Sequence, residues 1–246
     1  MGHPPDCNSS TMTSPQKSAS APAIQFHSAT FHLNGDGTLY WPDQDTLIVS
    51  DLHLEKGAAL SQGAPLPQFD TLDTLQRLEK RLIKDNPKRL LCLGDNFHTT
   101  ERAFRLPADY VAYLHKMMAE REVMWLTGNH DMALPDRLPG TVMSEVILAN
   151  IRFCHETDHR SHNPTISGHF HPKARVKLRA KQLSARCFLQ SGYDFIMPAF
   201  GSYTGGLNIR DAAFDAILTN TAIVHLLHDG KIFSMPFVPS VFLSAR

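Results

Sequence analysis

The chain has 246 residues, enough for one large α/β domain or at most two small ones, and its 42% apolar and 20% charged residues are typical of a soluble globular protein. Its 24 basic and 24 acidic residues cancel, so overall charge favours neither nucleic-acid nor membrane binding, and such binding would need local clusters. Because no apolar run approaches the roughly 20 residues of a membrane-spanning helix and the cysteines form no CxxC pair, we expect reduced thiols, a cytoplasmic location and no membrane association.

Residues 1–23 are rich in Ser, Pro and Ala and contain no apolar stretch typical of a secretory signal. Such a composition cannot bury enough apolar surface to form a core, so we expect a flexible leader. The remaining residues, 24–246, show no internal repeat and no clear domain boundary, which predicts one folded domain.

Five short runs rich in Val, Ile and Leu each stop at a cluster of polar residues. They are TLIVS before Asp51, RLLCL before Gly94, EVMWLT before Gly128, ANIRFC before His155 and PTIS before Gly168. Short apolar runs that end in Gly or Asx are typical of buried strands. In open α/β sheets, ligands bind beyond the carboxyl ends of the strands, which is where all five polar clusters fall.

Helical patterns lie between some of these runs. In residues 69–85 leucines recur at spacings of three and four, and Asp70 or Thr71 can cap the start. Residues 107–122 form a second such pattern, with Pro107 suited to the first turn. Strands that alternate with helices predict an α/β architecture, and the closely spaced strand signals after residue 173 predict a β-rich second half.

Seven side chains at the strand ends offer nitrogen or oxygen donors without a thiolate. They are Asp51, His53, Asp95, Asn129, His155, His169 and His171. Asp51 and His53 are two residues apart, so on an extended segment both side chains leave from one face, and His169 and His171 share this relation. This donor set suits Mn²⁺, Fe, Zn²⁺ or Mg²⁺. Seven donors exceed the needs of one tetrahedral ion but suit two ions that share a bridging carboxylate.

Each donor taken singly has a structural interpretation, because Asp or Asn at a strand end is usually a turn residue. The shared order and strand-end placement favour the metal site. Within the segment HETDHRSH, His155 is the candidate because it directly follows the apolar run, whereas His159 and His162 lie in a polar loop.

The order DxH, GD, GNHD, a lone His and GHxH resembles that of the calcineurin-like metallophosphoesterases. The resemblance implies a four-layer αββα sandwich with two divalent metal ions, Mn²⁺ being favoured. One ion would be bound by Asp51, His53, Asp95 and His171. The other would be bound by Asp95, Asn129, His155 and His169, with Asp95 as the bridge.

The resemblance also assigns the histidine after Asn129 to the phosphate or the leaving oxygen. We predict that His130 stabilises the transition state or acts as a general acid, with Asp131 orienting its ring through the other nitrogen. His98, the last residue of GDNFH, is a second candidate for the pocket and is not counted as a metal ligand.

Further stretches are similar to the bacterial DNA-ligase-associated metallophosphoesterases, over roughly residues 24–225. They include DLHLEKGAAL, GDNFH, RCF and MPAFGSYTGG. Members of this group are encoded beside a ligase, a helicase and a nuclease and are assigned to DNA repair. The resemblance therefore implies a phosphodiesterase or endonuclease with DNA as substrate and those repair proteins as partners.

A strip of alternating cations follows the last histidine motif, with Ala, Val and Leu between the charges. This basic strip comprises Lys173, Arg175, Lys177, Arg179 and Lys181. As a strand it would present all five cations on one face, either as the solvated face of an edge strand or as a surface that guides a phosphodiester backbone. The second interpretation is favoured because the strip begins two residues after His171.

Two alternative functions stay open from the sequence. The same site could serve a phosphatase acting on nucleotides or other small molecules, since one fold hosts many substrates. A non-catalytic scaffold is disfavoured because Asn129, His130 and all seven donors are present.

Overall fold

In the computed structural model the described residues are 21–57, 69–159, 162–178 and 181–244. Most of the predicted leader, residues 1–20, lies outside them. The extent of the leader and the single domain over 24–246 therefore stay predictions.

The first sheet has seven strands in the order of the chain. They are β1 (Ala23–Phe26), β2 (Ala29–Leu33), β3 (Leu39–Trp41), β4 (Thr46–Val49), β5 (Arg89–Leu93), β6 (Glu122–Leu126) and β7 (Thr141–Met143). The first four strands form an antiparallel meander, whereas β4 to β7 run parallel. The parallel strands place their carboxyl ends at one edge of the sheet.

The second sheet has eight strands, in the order β15-β14-β12-β13-β10-β9-β8, with β11 paired to β12. The bounds are β8 (Glu145–Leu148), β9 (Ile151–Cys154), β10 (Thr165–Ser167), β11 (Lys173–Leu178), β12 (Lys181–Ser191), β13 (Asp194–Ile196), β14 (Ile223–His228) and β15 (Lys231–Pro236). Strands β9, β10 and β13 are parallel to one another, and the other pairs are antiparallel.

Three apolar clusters define the layers of the fold. Helices α1 (Phe69–Asp85), α2 (Thr100–Phe104) and α3 (Ala108–Met118) cover the outer face of the first sheet. The two sheets pack face to face through residues such as Phe31 and Phe153. Outside the second sheet the described chain forms irregular segments and a 3₁₀ turn (Ala212–Phe214) rather than an α-helix.

The predicted α/β sandwich is confirmed. The five apolar runs are strands β4, β5, β6, β9 and β10, and the leucine repeat forms α1 with the predicted bounds. Pro107 stands just before α3 as its N-cap residue. The sequence pattern did not predict β1 to β3, β7 or β8.

The cysteines of the described chain, Cys92, Cys154 and Cys187, are buried and free, as expected of reduced thiols. None of the helices in the described ranges is both long and apolar enough to cross a bilayer.

The carboxyl ends of the parallel strands from both sheets meet at one edge of the sandwich. There the Asp51 N–H donates to the Gly94 carbonyl at 3.3 Å, and the Gly168 N–H donates to the His155 carbonyl at 2.9 Å. The ring nitrogen Nδ1 of His155, from the second sheet, donates to the carbonyl of Leu93 in the first sheet at 2.9 Å. The sequence motifs are therefore neighbours in space.

Candidate metal centre

Six of the seven predicted donors form two clusters at this edge. The donor atoms of Asp51, His53 and His171 all lie within 4.8 Å of one another. The donor atoms of Asp95, His155 and His169 do the same. Each cluster contains one carboxylate and two imidazoles, a composition suited to a divalent first-row metal ion.

Asn129 joins the second cluster. Its Oδ1 lies 3.0 Å from His155 Nε2 and 3.0 Å from His169 Nδ1. The two ring nitrogens are themselves 3.2 Å apart, and in the first cluster His53 Nε2 and His171 Nε2 show the same 3.2 Å separation. Ligands about 2.1 Å from a shared ion and about 90–110° apart would be separated by about 3.0–3.4 Å, so these donors fit a metal ion.

Asp95 lies between the two clusters. Its Oδ2 is 3.4 Å from His155 Nε2 in the second cluster and 3.9 Å from His53 Nε2 in the first. Its Oδ1 accepts a hydrogen bond from the His130 N–H at 2.9 Å, which fixes the orientation of the carboxylate. One oxygen of Asp95 therefore faces donors from both sides.

The carboxylates give the site a negative potential. Burial tends to raise the pKa of Asp51, but its hydrogen bond and charge interaction with His171 outweigh burial and lower it. Burial has the same tendency at Asp95, where the hydrogen bond and charge of His155 lower the pKa to about 2. Burial disfavours a charged His155, yet Asp95 and Asp51 raise the pKa of its ring to about 9. The same field favours a divalent cation.

Five of the seven donors have left-handed backbone conformations. The φ angles are 53° for Asp51, 44° for His53, 46° for Asp95, 67° for His169 and 46° for His171. The prediction that these pairs lie on extended chain is therefore wrong, since extended backbone has negative φ. Each such residue costs on the order of 1–3 kcal/mol, and this strain persists only where surrounding structure enforces it.

Bonds between motifs supply that enforcement. The His53 N–H donates to the Asp95 carbonyl at 2.9 Å, so a hydrogen bond joins the backbones of two metal-donor residues that both have left-handed conformations. The His169 N–H donates to both Asp51 carboxylate oxygens at 3.2 Å, which ties the two sheets together at the site.

The glycine of each motif makes room for a ligand from another motif. A Cβ on Gly94 would come within 2.7 Å of the His155 ring. One on Gly168 would overlap Ser50 Oγ and come within 2.5 Å of Asp51 Oδ2, and one on Gly128 would overlap the Asp95 carboxylate. Real Cβ atoms essentially never approach closer than 3.0 Å, so these glycines are required by packing.

His130 lies at the open side of the site, with 41% of its side chain exposed. Its Nδ1 lies 2.9 Å from the His98 carbonyl, and because a carbonyl only accepts, Nδ1 carries the proton. Its Nε2 then points toward Asp95 Oδ2 at 4.0 Å. The His98 ring is 5.7 Å from the His130 ring, and burial together with the nearby Lys56 charge lowers the pKa of His98.

The predicted role of Asp131 is wrong, because the His98 carbonyl orients the His130 ring. Asp131 is fully buried and accepts hydrogen bonds from the backbone N–H groups of Asn96, Phe97 and Gly128. Burial raises its pKa to about 6 despite these bonds. Its carboxylate instead fixes the loops that follow β5 and β6.

Comparison with known protein families identifies the fold and the site together. The model of the calcineurin-like phosphoesterase family matches residues 45–200, a range that contains all seven donors. The chain belongs to this family. No curated protein sequence matches it.

A solved structure supports the assignment. The crystal structure of the nuclease MPE from Pseudomonas putida superimposes with a TM-score of 0.70 at 26% sequence identity, and the alignment covers 87% of this chain and 99% of that one. The predicted family resemblance is confirmed.

The prediction that the basic strip of this phosphoesterase forms a single strand is wrong, because Lys173, Arg175 and Lys177 lie on β11 whereas Lys181 begins the antiparallel partner strand β12. Ala174 and Val176 of β11 are buried, while Lys173 and Arg175 are half-buried and Lys177 is exposed, so the predicted alternation of faces is present there. Arg179 lies outside the described residues, and of Lys181 only the backbone, at the start of β12, is described.

Sequence reasoning missed the residues that support the centre from α1. Arg77 donates to the Phe200 carbonyl at 2.8 Å and to Ser202 Oγ at 3.0 Å. Thr71 Oγ1 accepts from the N–H of Glu55, just after the first motif, at 2.8 Å. The sequence feature that could have indicated them is that Thr71 and Thr74 lie on the same face of α1 as the buried leucines, nearer its first turn.

Proposed function

We propose that this protein is a dinuclear metal-dependent phosphodiesterase that acts as an endonuclease on DNA in a ligase-associated repair system. The observation that carries the proposal is the position of Asp95 Oδ2, which lies within 4 Å of histidine nitrogens from both clusters. A carboxylate in this position is what two ions that share a ligand require.

The ligand assignment follows the two clusters. Asp51, His53 and His171 would bind one ion and Asn129, His155 and His169 the other, with Asp95 shared. Nitrogen and oxygen donors without thiolate are compatible with Mn²⁺, Mg²⁺, Fe or Zn²⁺, of which we propose Mn²⁺. When bound, two such cations would activate water and neutralise charge on the phosphoryl group.

The chain supplies the remaining chemistry. His130 Nδ1 is committed to the His98 carbonyl, so Nε2 is free to donate to a phosphate oxygen or to the leaving oxygen when the ring is protonated. His98 lies on the same side, where its ring can contact the substrate. The hydrogen bonds that enforce the strained backbone of the donors keep these groups in place before substrate binds.

Two observations support DNA as the substrate. The similar Pseudomonas putida protein is a nuclease. In this sequence no Asp or Glu occurs between Asp158 and Asp194, so the basic strip faces no acidic neighbour along the chain. Positive side chains of this kind give salt-dependent affinity for a phosphodiester backbone. Ligase, helicase and nuclease partners, and a cytoplasmic location, belong to the same proposal.

The test combines metal analysis with three substrates. The purified protein should hold two Mn²⁺ per chain and hydrolyse bis-p-nitrophenyl phosphate faster than p-nitrophenyl phosphate. It should also linearise covalently closed circular DNA, which has no ends and so requires an internal cut. Asp95→Asn should abolish all activity, whereas the matched exposed variant Asp43→Asn should match the parent protein.

Each alternative function has a distinct outcome. A faster monoester reaction without any cutting of circular DNA would identify a small-molecule phosphatase. No bound metal and no hydrolysis under added Mn²⁺ would identify a scaffold and refute the proposed enzyme.

A further inference from the structure

Residues 201–207, with the sequence GSYTGGL, form a loop beside the first metal cluster. At its start the Gly201 N–H donates to the Asp51 carbonyl at 3.0 Å. At its end the Leu207 carbonyl accepts from the Lys173 N–H at 2.8 Å, and Gly206 packs directly against the His171 carbonyl. Both ends of this 201–207 loop are therefore held by segments that carry metal donors.

Helix α1 fixes the beginning of the loop through Ser202. The Ser202 hydroxyl donates to Asp73 Oδ2 at 2.5 Å and accepts from Arg77 Nη2 at 3.0 Å. The Ser202 N–H donates to Thr74 Oγ1 at 3.2 Å. Arg77 also holds the Phe200 carbonyl, so the backbone on the near side of Tyr203 is anchored at several points.

Tyr203 follows this anchored serine and is 63% exposed. Within the described part of the chain, no hydrogen bond or ring contact engages its side chain. A single exposed aromatic residue is common on protein surfaces. This one is distinctive because it follows the anchored Ser202 in a loop whose two ends contact the backbone carbonyls of Asp51 and His171.

A cation lies beside the same loop. The Lys173 side chain passes over Gly206, with its Cε 2.9 Å from the position that a Cβ on Gly206 would occupy. One loop beside the metal cluster therefore carries an exposed aromatic residue and packs against the side chain of a lysine. An aromatic platform next to a cation is the combination that binds a base and the neighbouring phosphate in single-stranded nucleic acids.

We propose that Tyr203 is a stacking site for the nucleobase adjacent to the phosphate that is cut, with Lys173 binding the next phosphate. This inference rests on the proposed DNA substrate. Because every base has a π-face, the site would tolerate any sequence, but it would need the base itself. Removing the base or the ring should therefore cost the same binding energy, and removing both should cost no more than removing either.

The experiment uses a short end-labelled oligothymidylate in which one abasic residue is moved along the strand. Gel analysis gives the cutting rate at each phosphate. The parent protein should cut phosphates next to the abasic residue about 10-fold more slowly than the same phosphates in the intact strand. Tyr203→Ala should cut the intact strand about 10-fold more slowly and respond less than about twofold to the abasic residue. Tyr203→Phe, which keeps the ring, should behave as the parent.

Methyl p-nitrophenyl phosphate, which carries no base, reports the integrity of the metal centre and should be hydrolysed equally by all three proteins. Parent-like cutting by Tyr203→Ala, or an unchanged abasic penalty in that variant, would overturn the stacking site alone. A parent that hydrolyses the methyl ester but cuts no oligonucleotide would overturn the DNA substrate and the stacking site together.

Discussion

Substituting Gly128 by alanine should disable the metal centre without changing any donor. A Cβ at this position would lie 2.2 Å from Asp95 Oδ1, whereas ordinary contact begins at 3.4 Å. The difference of 1.2 Å must be absorbed by the Asp95 carboxylate or by the backbone, because the Asp95 N atom lies only 2.4 Å from the same Cβ. Gly128 has no positive φ, so alanine adds a steric effect and no conformational strain.

The expected magnitude follows from that displacement. A shift of about 1 Å in a positioned group can cost about 100-fold in rate, and Asp95 is placed to serve both ions. Overpacking of a rigid interior costs about 1–3 kcal/mol. For a domain of this size that corresponds to a loss of about 2–12 °C in Tm.

The assay measures kcat/KM for bis-p-nitrophenyl phosphate, bound metal per chain and the thermal melt of the same preparation. Gly205→Ala is the matched control, since a Cβ there meets nothing within 4 Å and its φ is also not positive. We expect an active, metal-loaded control and a folded Gly128→Ala variant with about 100-fold lower activity and reduced metal content. Parent-like activity with two bound ions in Gly128→Ala would refute the packing argument.

Three further predictions concern separate parts of the molecule. His130→Ala should lower kcat about 100- to 10,000-fold with bound metal unchanged, and more for phenyl than for nitrophenyl esters; metal loss would point to a structural role instead. Lys177→Ala should reduce the slope of log Kd against log salt concentration for DNA binding, measured by fluorescence anisotropy, by about one. An unchanged slope would exclude the basic strip as a phosphate-binding surface. Burial lowers the pKa of His225 to about 4, so below pH 6.5 the unfolded chain binds a proton that the folded protein does not. The free energy of unfolding therefore decreases as the pH is lowered. Between pH 7.5 and 5.0 this loss is about 2 kcal/mol, and urea unfolding of His225→Leu should lack it; equal losses in both proteins would contradict the assignment.

The sequence predicted which side chains can donate to a metal ion better than it predicted their backbone conformations. Residue type and motif order predict that Asp51 and His171 are metal donors, and apolar runs predict the strands before them. Their left-handed backbone could not be read from the sequence, because it is enforced by bonds such as that from His53 to the Asp95 carbonyl, which join segments far apart in the chain. The predicted role of Asp131 was wrong for the same reason, since the three backbone N–H groups that donate hydrogen bonds to its carboxylate come from two loops.

The short strands of the N-terminal meander were missed for a different reason. Strands β1 (Ala23–Phe26) and β2 (Ala29–Leu33) are as short as the predicted strands, but polar residues interrupt their apolar residues, so neither shows a continuous apolar run. They become strands because a neighbouring strand supplies the hydrogen-bonding partner, and this information is not local. The long α1 repeat could be predicted with its bounds because its leucine stripe spans several turns.

The motifs of this family therefore specify an interlocking arrangement as well as a set of ligands. Gly94 makes room for His155, Gly128 for Asp95 and Gly168 for Asp51, so each glycine serves a ligand contributed by a different strand. Because the backbone of Asp51 and of Asp95 is strained, a methyl group at Gly168 or Gly128 would release a ligand from another motif toward ordinary backbone geometry. A glycine and its ligand should then be non-additive: once Asp95 has been replaced by alanine, the methyl group of Gly128→Ala should cost less stability than it does in the parent protein, and the remaining cost comes from the backbone N of residue 95, 2.4 Å from the added Cβ.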